Sequence, residues 1–329
     1  MTDDFPDHIF ELPNPSAFLA AALRIFRFQA GGNPVYRQFI LSLGKKTDRV
    51  EKITDIPFIP SEFFKSHTVA IENLTFDAIF ESSRTTGTDP GRHFVHDLKL
   101  YESSFLASFR HFYGEPSGYM ISALLPSYSE RQNSSLIYMM RGLMSESRNK
   151  LSGFYNESPE DLIRNIHMAK ASGQKTFLLG VSFALLDLAE KYLPDLSGTI
   201  VMETGGMKGR RKEITREELH EFLKLKLNVS EIHSEYGMTE LLSQAYSKGN
   251  GIFYCPPWMK ILIRDPQDPM AVTGEAGLSG GINVIDLANI YSCSFIATGD
   301  FGRLYENGGF TISGRFDNSD IRGCNLMAE

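Results

Sequence analysis

Within Ser234-Glu235-Tyr236-Gly237-Met238-Thr239-Glu240 the chain sets an aromatic face, a glycine, a hydroxyl and a carboxylate side by side. A purine can stack on Tyr236, and Gly237 lets the backbone approach a ligand with no Cβ in the way. Thr239 can bond a phosphate oxygen, and Glu240 offers a hard oxygen ligand to Mg²⁺. The same residues also suit a plain loop entering a helix over Met238 to Ala245, with Glu240 favouring the positive helix end.

A second polar stretch follows the apolar strand Ala78-Ile79-Phe80. It reads Ser82-Ser83-Arg84-Thr85-Thr86-Gly87-Thr88-Asp89-Pro90-Gly91-Arg92. Hydroxyls, backbone N–H groups and guanidinium all donate to oxyanions, so this is a phosphate cradle or else a polar turn. It lacks the glycine-lysine-serine/threonine end of a Walker loop, which disfavours a P-loop kinase. His93 and His96 lie three apart, but no Cys, His or carboxylate set beside them completes a metal site.

A third stretch lies where the strand Thr199-Ile200-Val201-Met202 runs into Glu203-Thr204-Gly205-Gly206-Met207-Lys208-Gly209. A double glycine at the carboxyl end of a parallel strand opens the backbone where such sheets bind ligands. Farther on, Thr298-Gly299-Asp300 offers a carboxylate that can accept two ribose hydroxyls. Arg315, in Gly314-Arg315-Phe316-Asp317, can donate to a ribose or phosphate oxygen. Singly, Asp300 also reads as a hairpin-turn aspartate and Arg315 as a surface arginine.

The elements that position these stretches read as α/β. Helices are expected over Pro15 to Gln29 and Val35 to Leu43, and Ile56 to Pro60 as a connector whose prolines forbid a central strand. Helical periodicity covers Asp97 to Phe112 and Ser135 to Met144, and a buried strand spans Tyr119 to Leu125. Ser158-Pro159 starts a helix through Lys170, Phe177 to Val181 is a strand, and Phe183 to Tyr192 a helix. Thr215 and Glu218 form a capping box for a helix ending near Leu227. Strand and helix alternating at this spacing imply parallel βα units, so the loops after Met202 and His233 should share one sheet edge. After Ser247 the helical period stops and short strands follow. The divisions expected are a helical section at 1–75, an α/β core with the nucleotide loops at 76–247, a β subdomain at 248–313 and a hinge and tail at 314–329.

The 329 residues, 42% hydrophobic and 22% charged, suit a globular fold with a large core. A net charge of −7 without a long basic run argues against nucleic acid as partner. No apolar run reaches membrane-spanning length, and Met1-Thr2-Asp3-Asp4 is acidic where a signal peptide is basic. Cys255, Cys293 and Cys324 show neither metal spacing nor an even number for disulfides, so a cytoplasmic protein with reduced thiols is expected.

Taken in order, these stretches resemble the adenylate-forming superfamily of acyl-CoA synthetases, firefly luciferase and peptide-synthetase adenylation domains. Ser82 to Pro90 resembles its phosphate loop, and Tyr236-Gly237-Met238-Thr239-Glu240 its adenine and Mg²⁺ motif. Thr298-Gly299-Asp300 resembles its ribose aspartate, and Gly314-Arg315-Phe316-Asp317 the segment entering its hinge. The resemblance implies an N-terminal domain of parallel αβα sheets with a smaller β subdomain. ATP would react with a carboxylic acid to give acyl-AMP and pyrophosphate. Tyr236 would stack adenine beside Gly205, Gly206 and Gly237, while Asp300 and Arg315 would hold the ribose. Ser83, Thr85, Thr86, Gly87 and Thr88 would surround the departing phosphates, and Thr239 with Glu240 would place Mg²⁺.

Glu203 to Gly209 and the short length are similar to the acyl-protein synthetases of the bacterial luciferase system. That likeness implies a fatty or aromatic acid carried as a thioester on a cysteine near the C-terminus, here Cys324, five residues before the end. CoA or an acyl carrier protein are the other thiol acceptors, and a reductase or acyltransferase the implied partner. The phosphate loop departs from the family pattern at Arg84, by one extra residue before Pro90, and by Arg92 in place of a lysine. The C-terminal domain that carries the superfamily's catalytic lysine is expected to be absent. That leaves two alternatives: a non-catalytic nucleotide-binding subunit, or a CoA ligase completed by a separate chain. The acid's pocket is expected from Ser127 to Met140, Phe177 to Phe183 and residues near Met207 and Met238, which suit plain core equally.

Overall fold

The computed structural model describes residues 6–82, 90–125, 133–205 and 214–315. Its α-helices are α1 Pro15–Gly32, α2 Pro34–Ser42, α3 Phe63–Ser66, α4 Leu98–Tyr113, α5 Ser135–Ser147, α6 Pro159–Ala171, α7 Ser182–Tyr192 and α8 Arg216–Leu227. The strands of the first half are β1 Ile59–Pro60, β2 Ala78–Glu81, β3 Arg92–Val95, β4 Tyr119–Leu124, β5 Gly153–Phe154, β6 Lys175–Val181 and β7 Thr199–Thr204. Those that follow are β8 Ile232–Tyr236, β9 Ala245–Ser247, β10 Phe253–Tyr254, β11 Met259–Arg264, β12 Val272–Thr273, β13 Ser279–Asp286, β14 Phe295–Leu304 and β15 Phe310–Arg315. The chain folds as two compact units. One takes the described residues of Met1–Ser104, Met238–Ser243 and Tyr254–Glu329, the other Phe105–Gly237 and Gln244–Phe253.

The second unit is the expected αβα layer. Its strands run in the order β5-β4-β6-β7-β8-β9, parallel through β8 and antiparallel at β9. Strand β4 is buried at every position and β6 at all but its first, as strands covered on both faces must be. Helix α8 starts as its sequence requires: Thr215 Oγ1 accepts from Glu218 N–H at 3.1 Å, and Glu218 Oε2 from Thr215 N–H at 2.9 Å. Ser158 holds the N-cap position of α6, but its hydroxyl makes no capping bond. Glu160 and Asp161 in the first turn supply the favourable negative charge instead.

In the first unit β12-β11-β13-β14-β15 form an antiparallel ribbon, while β2 and β3 pair as a separate hairpin. Ile59-Pro60, expected as a connector only, pairs in parallel with Ile296-Ala297. The pairing lasts two residues, which keeps it compatible with a residue that has no N–H. Helix α1 packs Phe18, Ala22, Ile25 and Phe26 inward, and its one polar residue on that face, Gln29, is fully satisfied. Gln29 Nε2 donates to the Asn289 and Ile290 carbonyls and Oε1 accepts from Ser294 N–H.

The helix considered over Met238 to Ala245 does not form; a turn at Thr239-Glu240 leads on to β9. Side chains take the backbone groups that a helix would have bonded internally. The Asp286 carboxylate accepts from Leu242 N–H at 2.8 Å and Ser243 N–H at 2.9 Å, and Asn289 donates to the Glu240 carbonyl at 2.7 Å.

Candidate functional site

In the parallel sheet β7 and β8 are neighbours, with Thr204 opposite Glu235, so the loop after Thr204 and the Tyr236 stretch leave one sheet edge together. Gly205 takes φ +67°, a left-handed conformation that glycine adopts without strain, and its carbonyl accepts from Ser182 Oγ at 2.6 Å. Gly206, Met207, Lys208 and Gly209 lie outside the described residues. Behind the turn Glu203 is buried, with Arg216 Nε at 3.2 Å and His220 Nε2 at 3.6 Å. Burial pushes its carboxyl up. The hydrogen bond from His220, the charge of Arg216 and the Ser234 hydroxyl outweigh that and hold it below the usual carboxylate range.

Tyr236 closes β8 with its ring edge toward Phe253, centroids 6.0 Å apart. The Arg216 guanidinium lies 5.1 Å from the Phe253 centroid, so Glu203, Arg216, Phe253 and Tyr236 form one continuous chain of contacts. Gly237 has a packing reason for its identity. A Cβ there would collide with Glu235 Oε1, whose carboxylate also accepts from Thr204 Oγ1. Gln244 Cγ approaches the same point, and its buried Oε1 has no hydrogen-bond partner among the described residues.

In the other unit, the turn carrying Thr239 and Glu240 is held from three directions. His93 Nδ1 lies 2.8 Å from the Thr239 carbonyl and Nε2 3.0 Å from Asn289 Oδ1. Asn289 Nδ2 donates to the carbonyls of Glu240 and Cys293. Asp286 also accepts from Ser243 Oγ at 2.6 Å, and that oxygen accepts from Trp258 Nε1. Both ring nitrogens of His93 face oxygen acceptors, but burial pushes its imidazole down to about 4, so the neutral ring carries one N–H and donates to only one of them. His96 Nδ1 faces the Thr75 carbonyl.

The Glu240 carboxyl is raised above its ordinary value, chiefly by burial, with Lys65 and Arg315 opposing and Glu62 adding to the shift. A Cβ on Gly91 would lie 2.9 Å from Glu240 Oε1, so the strand leaving the Ser/Thr/Gly loop runs directly beside this carboxylate. The loop's base is closed by Ser82 N–H to the Gly91 carbonyl at 2.9 Å and Gly91 N–H to Ser82 Oγ at 2.8 Å. Ser83, Arg84, Thr85, Thr86, Gly87, Thr88 and Asp89 lie outside the described residues, as does Cys324.

Asp300 and Arg315 are register partners on β14 and β15, with Arg315 Nε 4.0 Å from Asp300 Oδ1. Thr298 fixes the strand before Asp300: its Oγ1 donates to the Ile282 carbonyl and accepts from Asp300 N–H. Its own carbonyl accepts from the buried Arg264 Nη2 at 2.9 Å. Of the side chains expected to line an acid pocket, Met139, Met140 and Phe177 are fully packed core.

A cation fits Glu240 in one way. Among the described residues no group of three or more His, Cys, Asp or Glu could hold a metal alone. A buried single carboxylate suits an ion that draws its other oxygens from phosphates and water, which is the habit of Mg²⁺. Sequence reasoning overlooked His93, Asn289, Asp286 and Arg264 as supports. Asp286 carried a signal, a charge ending the strand-like stretch Ile282-Asn283-Val284-Ile285. Asn289 carried none.

No protein-family model matches the chain, and no curated protein does. Solved structures match it by fold. The ATP-bound MatB from Rhodopseudomonas palustris aligns over 72% of this chain and 48% of its own, at 16% identity and a TM-score of 0.54. A 2-hydroxyisobutyryl-CoA ligase, in the postadenylation state with 2-HIB-AMP, aligns over 92% of this chain and 68% of its own, at 13% identity and a TM-score of 0.68. The amide bond synthetase McbA from Marinactinospora thermotolerans aligns over 73% and 49%, at 17% identity and a TM-score of 0.51. The chain thus spans about half the length of MatB and McbA. Each likeness is one of fold, and the fold is the one expected from the sequence.

Proposed function

We propose that this chain, whose fold is that of the adenylate-forming enzymes, activates a carboxylic acid as its acyl-AMP. The observation that carries the reading is Glu240: a buried carboxylate, raised by burial, lying against Gly91 at the exit of a Ser/Thr/Gly loop. The acid's carboxylate, already ionised at neutral pH, attacks the α-phosphorus of ATP. The bond from that phosphorus to the β-phosphate oxygen breaks and pyrophosphate leaves with its electrons. No general base is needed, so the chain's work is alignment and charge neutralisation.

Tyr236 stacks the adenine, with the Gly205-Gly206 backbone beside it. Asp300 accepts from the ribose hydroxyls and Arg315 donates to a ribose or phosphate oxygen. Ser83, Thr85, Thr86, Gly87 and Thr88 donate to the departing phosphates. Thr239 and Glu240 would hold Mg²⁺, which when bound neutralises phosphate charge. A thiolate then attacks the acyl carbonyl and AMP leaves, the acceptor being Cys324, CoA or a carrier-protein thiol. The molecules bound in two fold relatives, ATP in MatB and 2-HIB-AMP in the 2-hydroxyisobutyryl-CoA ligase, agree with this chemistry.

ATP–pyrophosphate exchange screened over fatty, aromatic and hydroxy acids tests the reading. Exchange with at least one acid is expected. Measurable ATP binding without exchange for any acid would overturn it in favour of a non-catalytic nucleotide-binding subunit. Intact mass after turnover reports self-acylation, which Cys324→Ser should abolish if that thiol is the acceptor.

A further inference from the structure

The inward face of β3 carries Gly91 just before the strand, then His93 and Val95, all buried at every second position. Two of these meet the Thr239-Glu240 turn in different ways. Gly91 leaves room for the Glu240 carboxylate, and His93 faces the Thr239 carbonyl at 2.8 Å. Asn289 then closes the arrangement. Both hydrogens of its Nδ2 are spent on carbonyls, Glu240 at 2.7 Å and Cys293 at 2.9 Å. The amide cannot be turned over without setting its oxygen against two carbonyl oxygens, so Oδ1 is fixed toward His93 Nε2 at 3.0 Å.

We propose that His93 and Asn289 are a positioning pair that registers the Thr239-Glu240 turn against the strand leaving the phosphate loop. The proposal rests on the adenylation reading for its consequence, but not for its geometry. His93 Nε2–H donates to Asn289 Oδ1 and Asn289 Nδ2 donates to the Glu240 carbonyl, a relay from β3 to the turn, while Asp286 holds the amides of Leu242 and Ser243. Buried polar groups of this kind cost desolvation, and an apolar filling would serve stability at least as well. What they add is a single allowed placement. The strand that ends the phosphate loop thereby sets where Glu240 stands, with no residue of the pair touching substrate.

The test compares His93→Ala, Asn289→Ala, His93→Gln and Gly91→Ala in the full chain. Asn33→Ala serves as a buried control in the same unit that removes a hydrogen bond to the Ser292 carbonyl and the N-cap bonds of α2. The first readout is amide hydrogen exchange of residues 238–243, which needs neither ATP nor metal. Both alanine variants should lose protection there by about tenfold or more, while Asn33→Ala leaves it unchanged at equal loss of stability. His93→Gln, whose amide N–H can donate to Asn289 Oδ1, should restore most of it. In ATP–pyrophosphate exchange the alanine variants should lose about 30- to 100-fold in kcat with the acid's KM unchanged, as for a misplacement remote from the reacting atoms. Gly91→Ala should keep the protection and raise the Mg²⁺ needed for half-maximal exchange. Unchanged protection in His93→Ala and Asn289→Ala, or an equal loss in Asn33→Ala, overturns the proposal. Wild-type protein that shows no exchange with any acid, while protection responds as stated, overturns the adenylation reading and leaves the positioning pair standing.

Discussion

Asp300 and Arg315 face each other across β14 and β15, yet their charges differ sharply in setting: the Asp300 side chain is 18% exposed and Arg315 86%. A 4.0 Å ion pair with one partner in water contributes little to folding. Asp300 is the more firmly held of the two, and on the proposed function it is the ribose ligand. The Thr298 hydroxyl accepts from its amide, and Arg264 holds the Thr298 carbonyl across β13.

Replacing Asp300 with Ala is therefore expected to raise the KM for ATP by about 10- to 100-fold, the worth of hydrogen bonds to a charged group. Arg315→Ala should cost only a few-fold, and less at high salt. Neither variant should shift Tm by more than a degree or two. Equal losses from both, insensitive to salt, would contradict this ranking.

Acid should destabilise the fold through its buried histidines. His93 titrates at about 4 in the folded state, against 6.5 when unfolded. Between those values the unfolded chain binds more protons, so stability falls as pH drops from 6.5 toward 4 and is flat above 6.5. His233, pushed down to about 4 by burial and the charges of Lys248 and His220, adds a loss of the same sign. For His93 alone the full loss is about 3 kcal/mol. Urea titrations at pH 7.5 and 5.0 should show His93→Gln narrowing the difference between the two pH values, though it lowers stability at both.

Much of this fold is legible in sequence, because helices such as α1 and α8 announce themselves by caps and an apolar stripe. Parallel strands are equally plain where both faces are buried, as in β4 and β6. The adjacency of the Gly205 turn and Tyr236 followed from alternation alone. Other features depend on tertiary partners. Nothing in Met238 to Ala245 forbids a helix; it is refused because Asp286 and Asn289, more than 40 positions away, take its amides and carbonyls. His93 stands in sequence as one of two histidines without a completing ligand set, and nothing there foretells that it is buried against the Thr239-Glu240 turn. Gly237 reads as room for a ligand, and its Cβ position is occupied by a neighbouring carboxylate.

Asp286 is the support with the most at stake. It is fully buried, and burial pushes its carboxyl up while hydrogen bonds from Ser243, Leu242 and Ala288 oppose the shift. Asp286→Asn keeps the shape but turns an amide toward N–H and O–H donors. A loss of about 3 kcal/mol is expected, since several charge-assisted bonds weaken at once. Urea unfolding monitored through Trp258, whose indole shares this cluster, reads it directly. A loss under 1 kcal/mol would mean the cluster rearranges around the amide.

Gly237 separates two reasons for a glycine. A methyl there meets Glu235 Oε1, so Gly237→Ala should destabilise the protein by about 1–3 kcal/mol as an overpacking change. Removing the obstructing carboxylate with Glu235→Ala should then make the second substitution nearly free, giving a coupling of at least about 1 kcal/mol in a double-mutant cycle. Unfolding free energies of the four proteins decide this. If backbone approach to a nucleotide is the controlling reason instead, stability effects will add, and the ATP KM defect of Gly237→Ala will persist unchanged in the double variant.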